Sequence, residues 1–515
     1  MHRTAHRLAI AARAALEASA LAFAAGTLAL IVNALTLTGS AHAQSVTIAT
    51  AAQPDSLDPH RTSATSAFQS MKSLYDTLVE PDRDGVIVPA LAESWTLSDD
   101  GLEWRFALRQ GVRFHDGSEL TSADAAASIA RLQADASPKA DEFAMVGTVE
   151  TPDERTLVLR LSQPAPALLD SLASGWGAIV PAALIEADHD FGNRPLGTGP
   201  FVFREWVRDS FVRLSANPDY YQGAPAVDDV VIRFVADPAV QWQGLQTGEF
   251  HVAVDIASVD WPALEADERF VLEQGPSGLV LVSAMNNRRP YLDDARVRRA
   301  LNYAVDAETI MEVAYGGGYT IGTFMEAGSP WLPDFIEPYP YDPERARALL
   351  HDVGVPPGWT LDMALPQPYD QHIVAGQMIQ DYLLQVGVRI EIRVIEWGVW
   401  LGDVFRGPRD FDLTVIGHTG KLDASGRLNG YGHPDATYSG YDNAEVAQWI
   451  DRAAVIGDRE TRRSLYAQAL ARLHDEAPFI YLGTPFTTFA RAAHVDGFWI
   501  TPLLDSFDLR ELTVD

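Results

Sequence analysis

Histidine and acidic side chains are the residues of this 515-residue chain that could do catalytic or metal-binding chemistry, and they are scattered rather than grouped. After residue 43 no two histidines stand four positions apart, the spacing at which one helix face presents two metal ligands. His115 beside Asp116 and His351 beside Asp352 are single pairs in turn-like or helix-end sequence, which is typical of solvated side chains. Cysteine is absent, and neither a Gly-x-Ser-x-Gly elbow nor a phosphate-binding loop occurs. The sequence therefore predicts no catalytic residues, no metal site and no cofactor.

Aromatic and charged side chains gather instead in two segments that suit the binding of a small solute. Trp397 directly follows a predicted strand over residues 389–395, where an aromatic ring is either core or the wall of a pocket. The second segment is the polar, glycine-rich loop of residues 418–441, which follows a predicted strand over residues 411–417. Lys421 is one of only three lysines, although a solvated side chain is the alternative. The candidate binding residues are Trp397, His418, Lys421, Asp423, Arg427 and Tyr431.

Strands and helices alternate around these two segments. The pattern predicts a strand over residues 360–365, a helix over 371–385 and a strand over 389–395, and residues 411–417 are apolar on both faces. This alternation predicts an α/β domain with a largely parallel sheet. Ligands bind beyond the carboxyl ends of the strands in such a sheet, which is where both segments begin.

Local signals also predict several helix ends. Thr121 and Asp124 have the spacing of a capping box. Asp342 before Pro343 predicts a helix start, and Gly354 predicts the end of that helix. Asp442 precedes a further apolar stripe at helical spacing.

The N-terminus has the order of a secretory signal peptide. Three arginines within the first thirteen residues precede an apolar run over residues 21–35, and Ala41-His42-Ala43 supplies the small residues of a cleavage site. We therefore expect residues 1–43 to be removed, the alternative being a retained membrane anchor. Without a cysteine the chain has no site for a lipoprotein anchor, which favours the periplasm.

Charge and length limit the partners and the number of domains. The formal net charge of −31 argues against nucleic acid as a partner, because phosphates would be repelled. Roughly 470 residues after cleavage are more than one hydrophobic core usually supports, so two or three domains are expected. No flexible linker is evident, so short ordered segments must join them.

A series of short motifs runs in order along the chain. The most specific is the turn Gly111-Val112-Arg113-Phe114-His115-Asp116-Gly117. The others are Pro-Asp-Ser-Leu-Asp-Pro at 54–59, Leu-Tyr-Asp-Thr-Leu at 74–78, Pro-Ala-Leu-Ala-Glu-Ser-Trp at 89–95, Gly-Thr-Gly-Pro-Phe at 197–201, Asn-Pro-Asp-Tyr-Tyr at 217–221, Gly-Leu-Gln-Thr-Gly-Glu at 244–249 and Arg-Val-Arg-Arg-Ala-Leu-Asn-Tyr-Ala-Val-Asp at 296–306. By these motifs the chain resembles the extracytoplasmic solute-binding proteins of ATP-driven (ABC-type) importers, in the family 5 class that includes oligopeptide-, dipeptide- and nickel-binding members.

The resemblance implies an α/β fold of the periplasmic-binding-protein type, in which two lobes with mixed sheets are joined by a hinge and carry an extra domain. Hinge strands are expected near residues 283 and 484. The expected divisions are a signal peptide at 1–43, a first lobe at 44–86, 197–283 and 484–515, an extra domain at 87–196 and a second lobe at 284–483.

The resemblance also implies that a monomer captures a small solute between its lobes and delivers it to a membrane permease, without enzymatic chemistry. Trp397 matches the family's Glu-Trp motif, and Asp423 is the nearest match to the aspartate that holds a peptide's α-ammonium. Lys421 and Arg427 add positive charge, which favours an acidic, zwitterionic or opine-like solute among peptide-like ligands. The alternatives are a sensory binding protein that presents its ligand to a membrane receptor, and a secreted hydrolase.

Overall fold

The strands and helices are described for residues 44–367, 369–419, 422–501 and 506–515 of a computed structural model, and the expected signal peptide and Lys421 lie outside these residues. The strands are β1 (Ser45–Thr50), β2 (Val79–Pro81), β3 (Ile87–Pro89), β4 (Ala92–Leu97), β5 (Glu103–Leu108), β6 (Val146–Asp153), β7 (Thr156–Leu161), β8 (Phe201–Val207), β9 (Phe211–Ala216), β10 (Asp229–Phe234), β11 (Val252–Ala253), β12 (Phe270–Pro276), β13 (Val280–Met285), β14 (Gly318–Thr320), β15 (Thr360–Pro366), β16 (Arg389–Ile395), β17 (Leu413–His418), β18 (Phe479–Ala492), β19 (Val495–Asp496), β20 (Trp499–Ile500), β21 (Phe507–Asp508) and β22 (Thr513–Val514). The α-helices are α1 (Thr65–Met71), α2 (Ser122–Gln133), α3 (Leu168–Ala173), α4 (Ala182–Glu186), α5 (Pro238–Thr247), α6 (Trp261–Glu265), α7 (Ala295–Ala304), α8 (Ala307–Tyr315), α9 (Pro343–Val353), α10 (Asp370–Gln385), α11 (Trp397–Trp400), α12 (Ser425–Leu428), α13 (Ala444–Val455) and α14 (Arg459–Glu476).

A mixed sheet of twelve strands runs through most of the described chain, with ten of them in the order β16-β15-β17-β13-β18-β11-β1-β10-β9-β8 and with β12 and β14 also paired to β18. The expected strand–helix–strand unit is present, because β15 and β16 flank α10 and pair in parallel. The mixed α/β fold is therefore confirmed. The mixed sheet that the resemblance implies is confirmed as well. The largely parallel sheet expected from the alternation of strands and helices alone is wrong, because β13 and β18 pair antiparallel to their neighbours and β8, β9 and β10 also pair antiparallel in succession.

β18 is the strand at which the two halves of the sheet meet. Its residues up to Gly483 pair with β13, and its residues from Phe486 onward pair with β12. The chain passes between the halves a second time in the β12–β13 turn, residues 277–279. The Ser277 N–H donates to the Pro485 carbonyl oxygen at 3.0 Å, so the two crossings are bonded to each other. A Cβ at Gly483 would lie 2.6 Å from the Tyr319 carbonyl oxygen, and glycine is therefore required there.

A second, antiparallel sheet has the order β4-β5-β7-β6. Phe106 of β5 and Leu157 of β7 are buried with Ile129 of α2 and Leu172 of α3 in one hydrophobic core. These elements all fall within residues 87–196, where the extra domain is expected. The domain boundaries themselves stay a prediction.

The helix starts predicted from local sequence are stabilised by side-chain hydrogen bonds at the N-caps. The Asp124 carboxylate accepts the Thr121 N–H at 2.8 Å and the Thr121 side chain accepts the Asp124 N–H, which forms the predicted capping box of α2. Asp342 accepts the Arg345 N–H at 2.9 Å at the start of α9. The helix expected after Asp442 is capped one residue later, by Asn443. Among the described residues, none of the helices has the length and apolarity needed to cross a bilayer.

Candidate ligand-binding site

A cavity of about 450 Å³ lies where the loop after β17 meets α3 and the β12–β13 turn. Four parts of the chain line it. They are the segment around α1 (Ser63, Thr65, Phe68), the residues around α3 (Lys139, Glu142, Met145, Ala165, Ala167, Leu168, Asp170, Ser171, Ser174, Trp176), the β12–β13 turn (Ser277, Gly278, Leu279) and the loop after β17 (Thr419, Leu422, Asp423, Ser425, Gly426). We call this space the α3 cavity. Its wall combines apolar and charged side chains, as a site for a small polar solute requires.

A second cavity of about 450 Å³ shares Ser277 with the first. It lies between the β2–β3 turn, the end of β12, residues 326–330 and residues 496–501. The β12–β13 turn therefore borders both cavities. Each cavity is lined by residues that precede this turn in the chain and by residues that follow it.

The loop after β17 is held in place by Asp423. Two hydrogen bonds, at 2.7 and 2.6 Å, join its carboxylate to Nη2 of Arg462 on α14, and the two side chains are only 4% and 5% exposed. The same carboxylate accepts the Ser425 N–H at 2.9 Å. Asp423 thus lines the α3 cavity while its charge is already balanced by an arginine.

Arg427 fixes the next part of the loop. Its guanidinium forms an ion pair with Glu326 at 2.9 Å, with both side chains no more than 2% exposed. It also donates to the His418 carbonyl oxygen at 3.2 Å and to the Gly278 carbonyl oxygen at 3.0 Å. Arg427 therefore ties the loop to the β12–β13 turn, and it does not line the α3 cavity.

His418 and Tyr431 lie behind the loop in an aromatic cluster. The His418 ring shares a hydrogen bond of 2.8 Å with the Tyr438 hydroxyl and packs edge-on against Phe324, with ring centroids 4.9 Å apart. Tyr431 packs against Phe324 and Phe479. Burial lowers the pKa of His418 to about 3 and raises the pKa of Tyr431. Both rings are therefore neutral near pH 7.

Trp397 begins α11 at the end of β16, as the sequence predicts. Its ring stacks on Trp400 with centroids 5.1 Å apart and planes 5° apart, and Tyr369 meets it edge-on. The Trp400 indole N–H donates to the Thr414 hydroxyl at 2.9 Å, which anchors the stack to β17. Trp397 is half-buried and lines neither of the two cavities.

The model for bacterial extracellular solute-binding proteins, family 5 Middle, matches residues 86–439, which is more than half of the chain. The chain belongs to this family. This family 5 protein is 30% identical over 509 residues to di/tripeptide-binding protein 2 of Pseudomonas aeruginosa, covering 90% of this chain and 94% of that one. It is also 30% identical over 495 residues to the glutathione-binding protein GsiB of Pectobacterium atrosepticum, covering 92% and 95%.

Solved structures share the fold of this chain. HbpA2 from Haemophilus parasuis superposes with a TM-score of 0.83 at 24% identity, covering 92% of this chain and 100% of that one, which shows the shared fold. The binding protein AgaA of A. tumefaciens R10, solved with agropinic acid, superposes with a TM-score of 0.68 at 26% identity, covering 92% and 99%.

In this family 5 protein, the residues around α3 that form the cavity wall opposite the loop after β17 were not predicted from the sequence. Lys139 lines the α3 cavity, bonds Glu142 at 3.1 Å and lies 4.0 Å from the centre of the Trp176 ring. Asp170 and Ser171 line the same cavity from α3. The rarity of lysine, which singled out Lys421, pointed equally to Lys139, whereas no local signal marked Asp170.

Replacing His418 by glutamine should flatten the pH dependence of stability. The unfolded histidine takes up a proton near pH 6.5 and the folded one only near pH 3, so protonation favours unfolding between these values. Relative to the His418→Gln variant, the wild type should lose about 2 kcal/mol of unfolding free energy between pH 6.5 and pH 5. Urea titrations at both pH values measure this loss of unfolding free energy. The contributions of His60 and His372 cancel in the comparison, because both proteins keep these two histidines. Parallel stability curves would contradict the burial of a neutral His418.

Proposed function

We propose that this family 5 protein captures a peptide or peptide-like solute in the α3 cavity and delivers it to the permease of an ATP-driven importer. The observation that carries the proposal is the cavity itself. Residues around α3 form one wall, and the loop after β17 forms the other. Closing the two walls over a solute would bury it and select the closed state.

The chemistry of the cavity suits a solute that carries both charges. Lys139 offers an ammonium group, and Asp170 and Asp423 offer carboxylates, beside the apolar wall of Phe68 and Leu168. The relatives named for di- and tripeptides and for glutathione bind solutes of this kind, and agropinic acid in AgaA supports an opine-like alternative. Among the described residues, no group of histidines and carboxylates has the arrangement of a metal site.

For the candidate residues we propose two different roles. Asp423 and Lys421 would contact the solute, because the described residues on both sides of Lys421 line the α3 cavity. The loop would be held from behind by His418, Arg427 and Tyr431. Trp397 would contact only a solute that extends beyond the cavity.

We further propose that residues 284–483 move against the rest of the protein and that residues 1–43 are cleaved. The mature protein would act in the periplasm as a monomer without enzymatic activity.

Ligand binding should raise the stability of the purified protein. A ligand at one hundred times its Kd adds about 2.7 kcal/mol to the unfolding free energy. We expect di- and tripeptides, reduced glutathione or agropinic acid to raise the unfolding temperature in a thermal-shift assay and to be recovered unchanged by mass spectrometry. No shift with any of these solutes would contradict peptide-like binding, and a hydrolysed product in excess over the protein would contradict a purely binding role.

A further inference from the structure

The second cavity has no part in the proposed function, although it shares Ser277 with the α3 cavity. Its wall contains five charged side chains, and four of them have a partner of opposite charge at 2.6 to 3.5 Å. These pairs are Arg83 with Glu511, Glu273 and Asp496 with Arg491, and Glu326 with Arg427. Asp84, the fifth, is exposed, as is Asp496, so water screens both charges. The buried charges of this wall are therefore already balanced by the protein.

The polar groups that stay available in the second cavity are neutral. Within the described residues, the Thr487 hydroxyl and the Gln274 amide make no hydrogen bond. The hydroxyl oxygens of Ser277 and Ser329 each accept the backbone N–H two residues further on, at 3.3 and 3.4 Å, which leaves their O–H groups free to donate. Hydroxyl and amide groups both donate and accept hydrogen bonds. The cavity can therefore bond a guest that offers donors and acceptors without a net charge.

One side of the second cavity is aromatic. Phe489, Phe498 and Trp499 line it, and each is no more than 8% exposed. The rings of Phe489 and Phe498 meet edge-on with centroids 4.7 Å apart, which fixes this side of the wall. A sugar or polyol has CH groups that pack on such rings and hydroxyls that bond the neutral groups opposite. A charged group would lose its water here and find few unpaired charges in return.

We propose that the second cavity receives an uncharged, hydroxyl-rich part of the solute, such as a sugar or a polyol chain. This inference rests on the proposed function and names the substrate class: an amino acid or short peptide joined to a sugar or polyol. The charged part of such a solute lies in the α3 cavity, where Lys139, Asp170 and Asp423 carry charges. Its hydroxyl-rich part passes Ser277, which borders both cavities.

The test compares matched probes by calorimetric titration. One pair is alanylserine and its O-glucosylated form, and the other is pyroglutamic acid and agropinic acid, which carries a polyol chain on the same lactam ring. In at least one pair, the wild type should bind the hydroxyl-rich member at least tenfold more tightly. Alanyllysine and alanylglutamate, which carry charged side chains instead, should bind no more tightly than alanylserine.

The variant Thr487→Val keeps the shape of the side chain and removes its hydroxyl. It should lower the affinity for the hydroxyl-rich probe by about threefold to tenfold, the effect of one lost neutral hydrogen bond. Its affinity for the plain probe of the pair should stay within twofold of the wild type. Adding Gln274→Met, which removes the amide, should reduce the preference for the hydroxyl-rich probe further.

The matched control is Thr488→Val, because Thr488 is the next residue of β18, faces the other side of the strand and does not line the second cavity. It should bind all probes like the wild type. Both single variants should unfold at the wild-type temperature without ligand. A lower unfolding temperature for Thr487→Val alone would assign its hydroxyl to the fold and overturn its role in binding.

Three results would overturn the inference and leave the capture of peptide-like solutes intact. They are equal binding within both pairs, tighter binding of a dipeptide with a charged side chain than of alanylserine, and an unchanged preference in the variant that combines Thr487→Val with Gln274→Met. Failure of the wild type to bind any of the probes would overturn the proposed function as well.

Discussion

Replacing Asp423 by alanine should lower the free energy of unfolding by about 3–5 kcal/mol, because it leaves Arg462 buried without a counter-charge. The Ser425 N–H would lose its acceptor as well. An effect of this size exceeds what the loss of a solvent-exposed loop residue produces, so it reports on the ion pair. Urea or thermal unfolding of the two proteins without ligand measures it.

Two further variants make the Asp423 test specific. Glu511→Ala removes one partner of an ion pair of the same 2.6 Å length with Arg83, but those side chains are 64% and 54% exposed, so the loss should stay below about 1 kcal/mol. The double variant Asp423→Leu/Arg462→Met should recover much of the loss of Asp423→Ala, since no unpaired charge remains. A loss below about 1 kcal/mol for Asp423→Ala would show that Arg462 reaches water when unpaired.

Glu326→Ala should be as destabilising, again by about 3–5 kcal/mol, because Arg427 is enclosed even more completely than Arg462. Arg427 would keep its hydrogen bonds to the carbonyl oxygens of His418 and Gly278, but these neutral acceptors do not balance a full charge. Chemical denaturation of the variant measures the loss.

A matched pair of variants at residue 326 separates the effect of losing the charge from the effect of changing the side-chain shape. Glu326→Gln keeps the size of the side chain and removes its charge, so it should be destabilised nearly as much as Glu326→Ala if the ion pair is what matters. The double variant Glu326→Gln/Arg427→Met should be more stable than Glu326→Gln alone. Equal stability of wild type and Glu326→Gln would contradict the importance of the buried charge pair.

The sequence predicted the elements whose signals are local. The strand–helix–strand unit around α10, the capping box at Thr121 and the cap at Asp342 all depend on residues a few positions apart, and all are present. Family motifs spread over the chain predicted the fold type, although no single motif decides it. The family resemblance implied the mixed sheets, whereas the local alternation of strands and helices pointed to a largely parallel sheet, because strand pairing is set by distant segments.

The partners of the candidate site residues could not be predicted from local sequence. Arg427 and Asp423 are predicted as ligand contacts because they are charged and follow a strand end. Their counter-charges, Glu326 and Arg462, come from other segments and meet them only in the folded chain. Asp170 enters the same cavity from a helix far earlier in the sequence, and nothing in its immediate neighbours indicates this position.

The place of β18 in the large sheet has a consequence for the order of events during synthesis. β18 is synthesised after β11, β12, β13 and β14, yet all four strands pair with it. Until residues 479–492 have emerged, both halves of the sheet carry open edges with unpaired backbone groups. Neither half of the large sheet can therefore complete its strand pairing before residues 479–492 are available, whereas the β4-β5-β7-β6 sheet does not depend on them.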